Sequence, residues 1–368
     1  MKPIGLYIHI PFCKGKCPYC DFYSVTPHGS VIENYTAEVC RRLSAETRIF
    51  DTVYFGGGTP SLLGAENICR ILGSVNAADG CEMTLECNPS DTGGRDSNFD
   101  FKAVADAGID RISMGLQSSS DSERRFLGRR AGADDAERAV ERANAAGIDN
   151  ISLDLMLGLA VQSTESVGRS IEFCRRLGAK HLSAYLLKLE QGTPLYTRRN
   201  ELHLPDEDET AELYLFTVSE AAKIGFLQYE ISNFSLPGYE SRHNLKYWRC
   251  EEYLGVGAAA HSFVGGKRFY NERSIADFLE GKPPVNDGDG GDEEEFVMLA
   301  LRLTEGLSGE RFAERYGHML PREFDKKAAF FASKGLMTVG GERYSLTPQG
   351  FLLSNSIIFE LIDTLEAE

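Results

Sequence analysis

The feature that most constrains the fold is a strand-like run followed by a helix-like run, repeated six times at intervals of about 30 residues. The predicted strands are Leu6–Ile10, Thr52–Phe55, Glu82–Cys87, Arg111–Gly115, Ile151–Leu157 and His181–Leu187. Runs with helical spacing, such as 32–49 and 134–146, lie between them. Strands that alternate with helices predict an α/β protein with a parallel sheet. The pattern favours a barrel, with an open doubly wound sheet as the alternative.

Polar and glycine-rich residues gather at the C-terminal ends of the predicted strands. Cys13 follows the first strand, the run 56–61 (Gly-Gly-Gly-Thr-Pro-Ser) follows the second, and Glu86 lies at the C-terminal end of the third. Gln117 follows the fourth strand, and Asp154 lies in the fifth. In a parallel barrel these strand ends face one mouth, where enzymes of this architecture place their chemistry. We therefore expect a shared site there.

Composition and charge narrow the classes of partner. The chain has 39 Lys and Arg against 55 Asp and Glu, a formal net charge of −16, and this negative field disfavours nucleic acid. No apolar run is long enough for a membrane span, and the first residues lack a signal-peptide pattern. The sequence therefore predicts a cytoplasmic protein with ordinary globular composition.

The pattern changes after the sixth strand. The spacing predicts a long helix over 207–223, a strand over 226–231, and a β-hairpin across Gly340 and Gly341. We expect four parts, namely the barrel over 1–235, a connecting region over 236–281, an acidic Gly-rich linker over 282–295 and a small helix-rich domain over 296–368.

Three cysteines stand within eight residues near the start of the chain, as Cys13, Cys17 and Cys20 in a C-x3-C-x2-C arrangement. Zinc sites use four ligands and paired C-x2-C motifs, and the sequence has no second pair. Three thiolates on one loop can instead bind three irons of a [4Fe–4S] cluster and leave the fourth iron open. The spacing therefore predicts an iron–sulfur cluster rather than a disulfide framework.

The segment from Tyr7 through the three cysteines to Phe22 resembles the radical S-adenosylmethionine (SAM) superfamily, in its coproporphyrinogen-dehydrogenase-like branch. The resemblance extends over nearly the whole chain. It implies a partial (β/α)6 barrel followed by a helix-rich, winged-helix-like C-terminal domain. It also implies that the open iron binds the amino and carboxylate groups of SAM, and that the reduced cluster cleaves the sulfonium.

The resemblance assigns further residues to SAM. The glycine-rich loop would lie on the methionine amino group, and Glu86 and Asp154 would accept hydrogen bonds from ribose hydroxyls or the ammonium. Gln117 would meet the ribose, and Arg129 would pair with the methionine carboxylate. The full expected set is Tyr7, Tyr19, Gly57, Gly58, Thr59, Glu86, Gln117, Arg129 and Asp154. After Asp154 the chain lacks the Tyr-Gly-Leu-Pro run usual in the family, so that loop departs from the pattern.

Within the branch, the chain looks most like the HemW-type haem chaperones. It shares with them the Cys-Asp-Phe-Tyr-Ser continuation over residues 20–24 and an HNxxYW motif. The residues expected to bind haem are His243, Asn244, Tyr247 and Trp248. His243 would ligate the iron from an exposed, loop-rich stretch, while the aromatic rings cover the porphyrin. His261 and Cys250 are weaker candidates for an axial ligand.

Other functions stay open at this stage. One is an oxygen-independent coproporphyrinogen III dehydrogenase. That family has a fourth cysteine at the position of Phe22 and a long segment before the cluster loop. In this sequence only 12 residues precede Cys13, so both features count against the dehydrogenase. A radical SAM enzyme that modifies tetrapyrroles, or a binding protein with a structural cluster, is also open. The chaperone interpretation implies haem-accepting partners, including respiratory proteins at the membrane, and an electron donor for the cluster. It allows peripheral contact with the membrane.

Overall fold

Six parallel strands form the centre of the computed structural model, which describes residues 2–365. They are β1 (Ile4–Ile10), β2 (Phe50–Gly57), β3 (Ala77–Cys87), β4 (Arg111–Gln117), β5 (Asn150–Leu157) and β6 (His181–Leu186). Each strand pairs with the next along the chain. A doubly wound sheet would reverse its strand order at a switch point, and this one does not. The order is that of a partial barrel, as predicted, and the doubly wound alternative is wrong.

Six shorter strands extend this sheet at both edges. They are β7 (Leu227–Gln228), β8 (Asn233–Ser235), β9 (Tyr253–Val256), β10 (His261–Val264), β11 (Lys267–Tyr270) and β12 (Val285–Asp289). The strand order is β12-β11-β10-β9-β1-β2-β3-β4-β5-β6-β8-β7. Strand β9 pairs with β1 in parallel, whereas β8 pairs with β6 antiparallel. Segments from far along the chain therefore flank both edges of the six-stranded barrel.

Helices cover the outer face of the barrel. Those up to the sixth strand are α1 (Val31–Ser44), α2 (Gly64–Leu72), α3 (Pro89–Thr92), α4 (Phe101–Asp106), α5 (Asp121–Phe126), α6 (Ala133–Ala145) and α7 (Thr164–Arg176). Short 3-10 turns occupy Pro60–Leu63 and Arg199–Glu201. One continuous core of aliphatic and aromatic side chains joins these helices to the strands. Its burial supplies the main stabilisation of the barrel.

Later helices and a small sheet build the C-terminal part. The helices are α8 (Pro194–Thr197), α9 (Glu207–Lys223), α10 (Arg242–Trp248), α11 (Ile275–Leu279), α12 (Glu293–Ala300), α13 (Gly309–Tyr316), α14 (Arg322–Ser333), α15 (Pro348–Leu352) and α16 (Ser354–Ile362). Strands β13 (Leu307–Ser308), β14 (Met337–Gly340) and β15 (Arg343–Leu346) pair antiparallel, and β14 and β15 form the expected hairpin. A second core joins this part to Tyr214, Tyr253 and Phe263. Among the described residues no helix is both long and apolar enough to cross a bilayer.

Three expectations differ from the structure. The strand expected over 226–231 is reduced to Leu227–Gln228. The connecting region expected over 236–281 supplies helix α10 and strands β9 to β11 of the main sheet. The segment expected as a linker over 282–295 contains β12 and the first turn of α12. Its acidic residues suit an edge strand, where charge discourages further pairing.

Candidate cofactor site at the barrel mouth

The loop that carries the three cysteines leaves β1 and is fixed by its own backbone. The N–H of Cys13 donates to the carbonyl of Val25 at 3.0 Å, and the N–H of Cys20 donates to the carbonyl of Cys17 at 3.1 Å. All three thiols are half-buried and free of disulfides. Within the turn, Lys14 forms an ion pair of 2.6 Å with Asp91 of helix α3. The loop therefore presents three accessible thiols from one ordered turn.

The glycine-rich loop after β2 packs directly against this turn. The N–H of Gly58 donates to the carbonyl of Ile10 at 2.9 Å, and the hydroxyl of Thr59 lies 3.3 Å from the Sγ atom of Cys13. A Cβ atom at Gly57 would stand 2.5 Å from the His9 ring, and one at Gly58 would stand 2.6 Å from a backbone oxygen. Only glycine allows this approach, so the loop and the cysteine turn form one unit.

A carboxylate on the inner face of β3 faces the same loop. Glu86 accepts a hydrogen bond of 2.8 Å from the Tyr54 hydroxyl and one of 3.2 Å from the N–H of Gly57. Burial raises the pKa of Glu86 to about 7, and the charge of Asp154 adds to the rise, while the hydrogen bond from Tyr54 opposes it. The Glu86 carboxyl group is therefore held in a fixed position and titrates near neutral pH.

Arg129 connects the cysteine turn to the end of β4. Its guanidinium lies 3.8 Å from the Sγ atom of Cys17 and donates to the carbonyl of Gly115. Its buried Nε–H group has no hydrogen-bond partner among the described residues. Tyr19 packs beside Arg129 and Cys17, and its pKa is raised because the ring is buried. An arginine with a free N–H at this place is suited to a carboxylate.

Gln117 ends β4 in a left-handed backbone conformation. Its φ is 68°, and the pairing with β5 shifts register between Gly115 and Gln117. Such an irregularity redirects a side chain, and strained backbone of this kind is enriched at functional sites. The Gln117 amide lies over Gly115, on the side that also holds Arg129.

Asp154 stands opposite Gly115 in the pairing of β4 with β5. Burial raises its pKa to about 6, whereas the hydroxyl of Ser183 and the charge of Arg111 lower it. Arg111 is fully buried on the inner face of β4, and its Nε and Nη1 atoms have no hydrogen-bond partner among the described residues. This arginine provides a positive potential beneath both carboxylates, since it lowers the pKa of Glu86 as well.

The residues expected from the sequence at the SAM site are thus brought together, and their arrangement fits a cluster with a bound amino acid. Within residues 2–365 no three His, Cys, Asp or Glu side chains converge as the ligands of one metal ion would. A cluster makes a different demand, because its thiolates bind separate irons. The three half-buried thiols can bind separate irons. The glycine loop leaves space beside them, and the free N–H of Arg129 can donate to the carboxylate of a bound amino acid.

The residues expected to bind haem lie at the opposite end of the barrel. His243 is in helix α10 and is 0% exposed, so the expectation of an exposed, loop-rich stretch is wrong. Its Nδ1 atom lies 2.8 Å from the Thr52 hydroxyl, and its Nε2 atom lies 2.8 Å from the Tyr247 hydroxyl. Burial lowers the pKa of His243 to about 3, and the charges of Lys246 and Arg111 add to this. Because both nitrogens are engaged, His243 does not fit a haem ligand in this structure.

The other residues of the motif lie in two different environments. Tyr247 packs edge-on against His243 at 5.0 Å, and the N–H of Asn244 donates to the hydroxyl of Ser241, which caps α10. Trp248 instead lines a groove of about 440 Å³ between α10, α12 and α13. The motif therefore does not form one surface. Its haem-binding role stays a prediction that would require α10 to move.

Several residues that shape the site were not singled out from the sequence. Tyr54 and His9 share the inner face with Tyr7, a pattern visible in the alternation of β1 and β2. Glu82 accepts the N–H groups of Arg242 and His243 at 3.1 and 3.0 Å and so anchors α10 under the barrel. No local signal marks Glu82, because its partners lie far along the chain.

Two family descriptions match the chain. The Radical SAM superfamily matches residues 7–174, which include the cysteine turn, the glycine loop and the carboxylates. The HemN C-terminal domain matches residues 293–353.

Individual proteins match over nearly the full length. The protein named Heme chaperone HemW from Bacillus subtilis is 36% identical, covering 95% of this chain and 97% of its own. The protein of the same name from Escherichia coli is 33% identical, covering 97% and 98%. The solved structure of coproporphyrinogen III oxidase (HemN) from Escherichia coli has a TM-score of 0.81 at 19% identity, covers 98% of this chain and 90% of its own, and shows the same fold. The chain therefore belongs to the radical SAM superfamily and, within it, to the family of the HemW proteins.

Proposed function

We propose that this protein is a haem chaperone that holds a [4Fe–4S] cluster, SAM and haem and passes the haem to acceptor proteins. The observation that carries the proposal is the 36% identity to a named heme chaperone over 97% of that relative's length. The geometry at the mouth agrees with it, since the residues that would hold the cluster and SAM are present and oriented together.

Cys13, Cys17 and Cys20 would hold the cluster, which supplies an electron at low potential when it is bound. The hydroxyl of Thr59, 3.3 Å from Cys13, can donate to that thiolate. The guanidinium of Arg129 beside Cys17 offsets part of the negative charge of the turn.

The same turn and its neighbours would bind SAM. The backbone of Gly57 and Gly58 leaves room above the inner face, and Glu86 and Asp154 accept hydrogen bonds from ammonium or hydroxyl groups. The free N–H of Arg129 would face the carboxylate of the ligand. Tyr7, Tyr19 and Gln117 would complete the pocket.

A second candidate is the dehydrogenation of coproporphyrinogen III, which the HemN-like fold favours. Against it, Phe22 stands where the dehydrogenases have a fourth cysteine, and its ring is 66% exposed. We therefore place the chain with the chaperones and expect no decarboxylation of the propionates.

Haem-accepting proteins, including respiratory enzymes at the membrane, and a reductant for the cluster would be the partners. The proposal places the protein in the cytoplasm, with peripheral contact at the membrane during delivery. Whether SAM is cleaved during delivery is a separate question that the release of 5′-deoxyadenosine answers.

The test is an anaerobic transfer assay with the reconstituted protein. Haem-loaded protein is mixed with an apo b-type cytochrome, and the spectrum of the cytochrome is followed with and without SAM and reductant. We expect transfer of haem and no product when coproporphyrinogen III replaces haem. Conversion of coproporphyrinogen III without transfer of haem would contradict the proposal and establish the second candidate.

A further inference from the structure

The buried histidines have no free nitrogen to offer to a ligand. Three of the seven histidines are buried, and in each both ring nitrogens have a hydrogen-bond partner. The partners are Tyr7 and Tyr23 for His9, Ser152 and Tyr229 for His181, and Thr52 and Tyr247 for His243. Of the exposed histidines, His318 bonds to Glu293 and to a backbone carbonyl. An imidazole ligand for haem must therefore be sought among the other exposed ones.

His261 differs from the two remaining exposed histidines. None of His28, His203 and His261 has a hydrogen bond to a ring nitrogen in the part of the chain that the structure describes. His28 and His203 lie in loops before α1 and α9, and neither stacks on an aromatic ring among residues 2–365. His261 begins β10 and stacks on Tyr270 of β11, with ring centroids 5.2 Å apart and planes inclined by 27°. Its ring is therefore held by a strand pair while its nitrogens stay free.

The register of the sheet places His261 on the inner face. Phe263 stands opposite Tyr253, and Tyr253 stands opposite Gly5 of β1. Residues two apart in a strand share a face, so His261 shares the face of Phe263, and Tyr7 shares the face of Gly5. His261 therefore belongs to the face that also carries the Tyr7 and His9 side chains, which are hydrogen-bonded to each other at 3.0 Å.

The segment after Cys20 lies against the turn that follows β11. Asp21 pairs with Arg273 at 3.7 Å, and the N–H of Ile275 donates to the Tyr23 hydroxyl at 3.2 Å. Burial lowers the pKa of His9 to about 4, and the charges of Arg273 and His261 add to the effect. We call the group formed by the exposed Phe22, His261 and Arg273 and the half-buried Tyr270 the mouth patch.

The mouth patch combines the groups that a haem requires. An imidazole nitrogen ligates the iron, aromatic rings contact the flat macrocycle, and a guanidinium pairs with a propionate. The Phe22 ring is 66% exposed and the Arg273 side chain is 64% exposed, so both can reach a bound molecule.

We propose that haem binds at the mouth patch with His261 as its axial ligand. This rests on the proposed function and assigns the ligand to a residue outside the HNxxYW motif. A ring nitrogen of His261 forms a bond to the iron and displaces a water molecule, with no change of oxidation state. Phe22 and Tyr270 contact the macrocycle, and Arg273 pairs with a propionate. The bound haem would then lie beside the cysteine turn and be accessible to an acceptor protein.

The test is a titration of the full-length protein with ferric haem, followed by absorption and electron paramagnetic resonance. We expect His261→Ala to weaken binding by about tenfold or more and to remove the imidazole-ligated signal. His203→Ala, which removes another exposed imidazole outside the patch, should match the parent. Free imidazole should restore the signal in His261→Gly, and Arg273→Ala should weaken binding without changing the ligand signal.

The outcomes separate the two proposals. If the parent binds and delivers haem and His261→Ala has the same affinity and spectrum, the ligand assignment is wrong and the chaperone function stands. If the parent binds no haem, both fail. If the parent binds haem through His261 and delivers none, the ligand assignment stands and the chaperone function fails.

Discussion

The Nδ1 atom of His243 lies 2.8 Å from the Thr52 hydroxyl and ties helix α10 to strand β2 inside the barrel. The His243 ring also stacks on Tyr54, with centroids 5.2 Å apart, and the Tyr54 hydroxyl donates to Glu86. The far end of the barrel and the carboxylate at its mouth are thus joined by direct contacts. His243 acts in this structure as a packing and positioning residue.

Replacing His243 should therefore destabilise the fold. We expect His243→Ala to lower the free energy of unfolding by about 3 kcal/mol, since it opens a cavity and leaves two hydroxyls without partners. Urea denaturation of the apoprotein measures the change. Thr52→Val, which keeps the shape and removes one hydrogen bond, should cost less. If His243→Ala kept the stability of the parent but lost all haem binding, His243 would instead be the haem ligand.

The raised pKa of Glu86 predicts a pH dependence of stability. Its folded-state pKa is about 7 against an ordinary value of 4.5. The stability that protonated Glu86 contributes is therefore complete below pH 4.5 and is lost as the pH rises through about 7. We expect Glu86→Gln to gain stability relative to the parent between about pH 5 and about pH 8. Parallel pH profiles of the free energy of unfolding would contradict this.

Arg129 should contribute to SAM binding through its free N–H. We expect Arg129→Gln to weaken binding by about tenfold or more, because a charge-assisted hydrogen bond is lost. Calorimetry with the reconstituted protein measures the affinity. Arg125→Gln, at an exposed position of α5, is the matched control and should bind as the parent does. Equal affinities in both variants would remove Arg129 from the site.

The cluster prediction can be tested one cysteine at a time. Cys13→Ala, Cys17→Ala and Cys20→Ala should each lose most of the bound iron and the visible absorbance, because the three thiols are the only ones on the turn. Cys40→Ala, at a half-buried thiol in α1, should retain both. Loss of iron in the control and retention in the three variants would show that the cluster is held elsewhere.

The sequence predicted the parallel strands and the site at their C-terminal ends because these signals are local. Alternating apolar residues mark β1, and the glycines after β2 follow from a close approach to His9. The end positions of such elements are less well defined, so the helix expected to reach residue 49 ends at Ser44.

The position of α10 could not be predicted in the same way. This helix has seven residues and begins where Glu82, from β3, accepts the N–H groups of Arg242 and His243. Such a contact depends on the folded barrel and leaves no periodicity in the sequence. The sequence therefore predicts an exposed motif, whereas its histidine is buried in the structure. Strand β12 cannot be distinguished from a linker by its sequence, because acidic and glycine residues are typical of linkers as well as of sheet edges.

Strand β1 lies between β2 and β9, and β9 begins at Tyr253. Because β1 leaves the ribosome long before β9, one of its hydrogen-bonding edges stays unpaired until residues 253–256 have been synthesised. An unpaired edge attracts other chains. We expect nascent chains arrested before residue 253 to be digested rapidly by protease and those arrested well beyond residue 256 to resist it. Synthesis of this protein thus includes a long interval in which the strand that leads to the cysteines is unprotected.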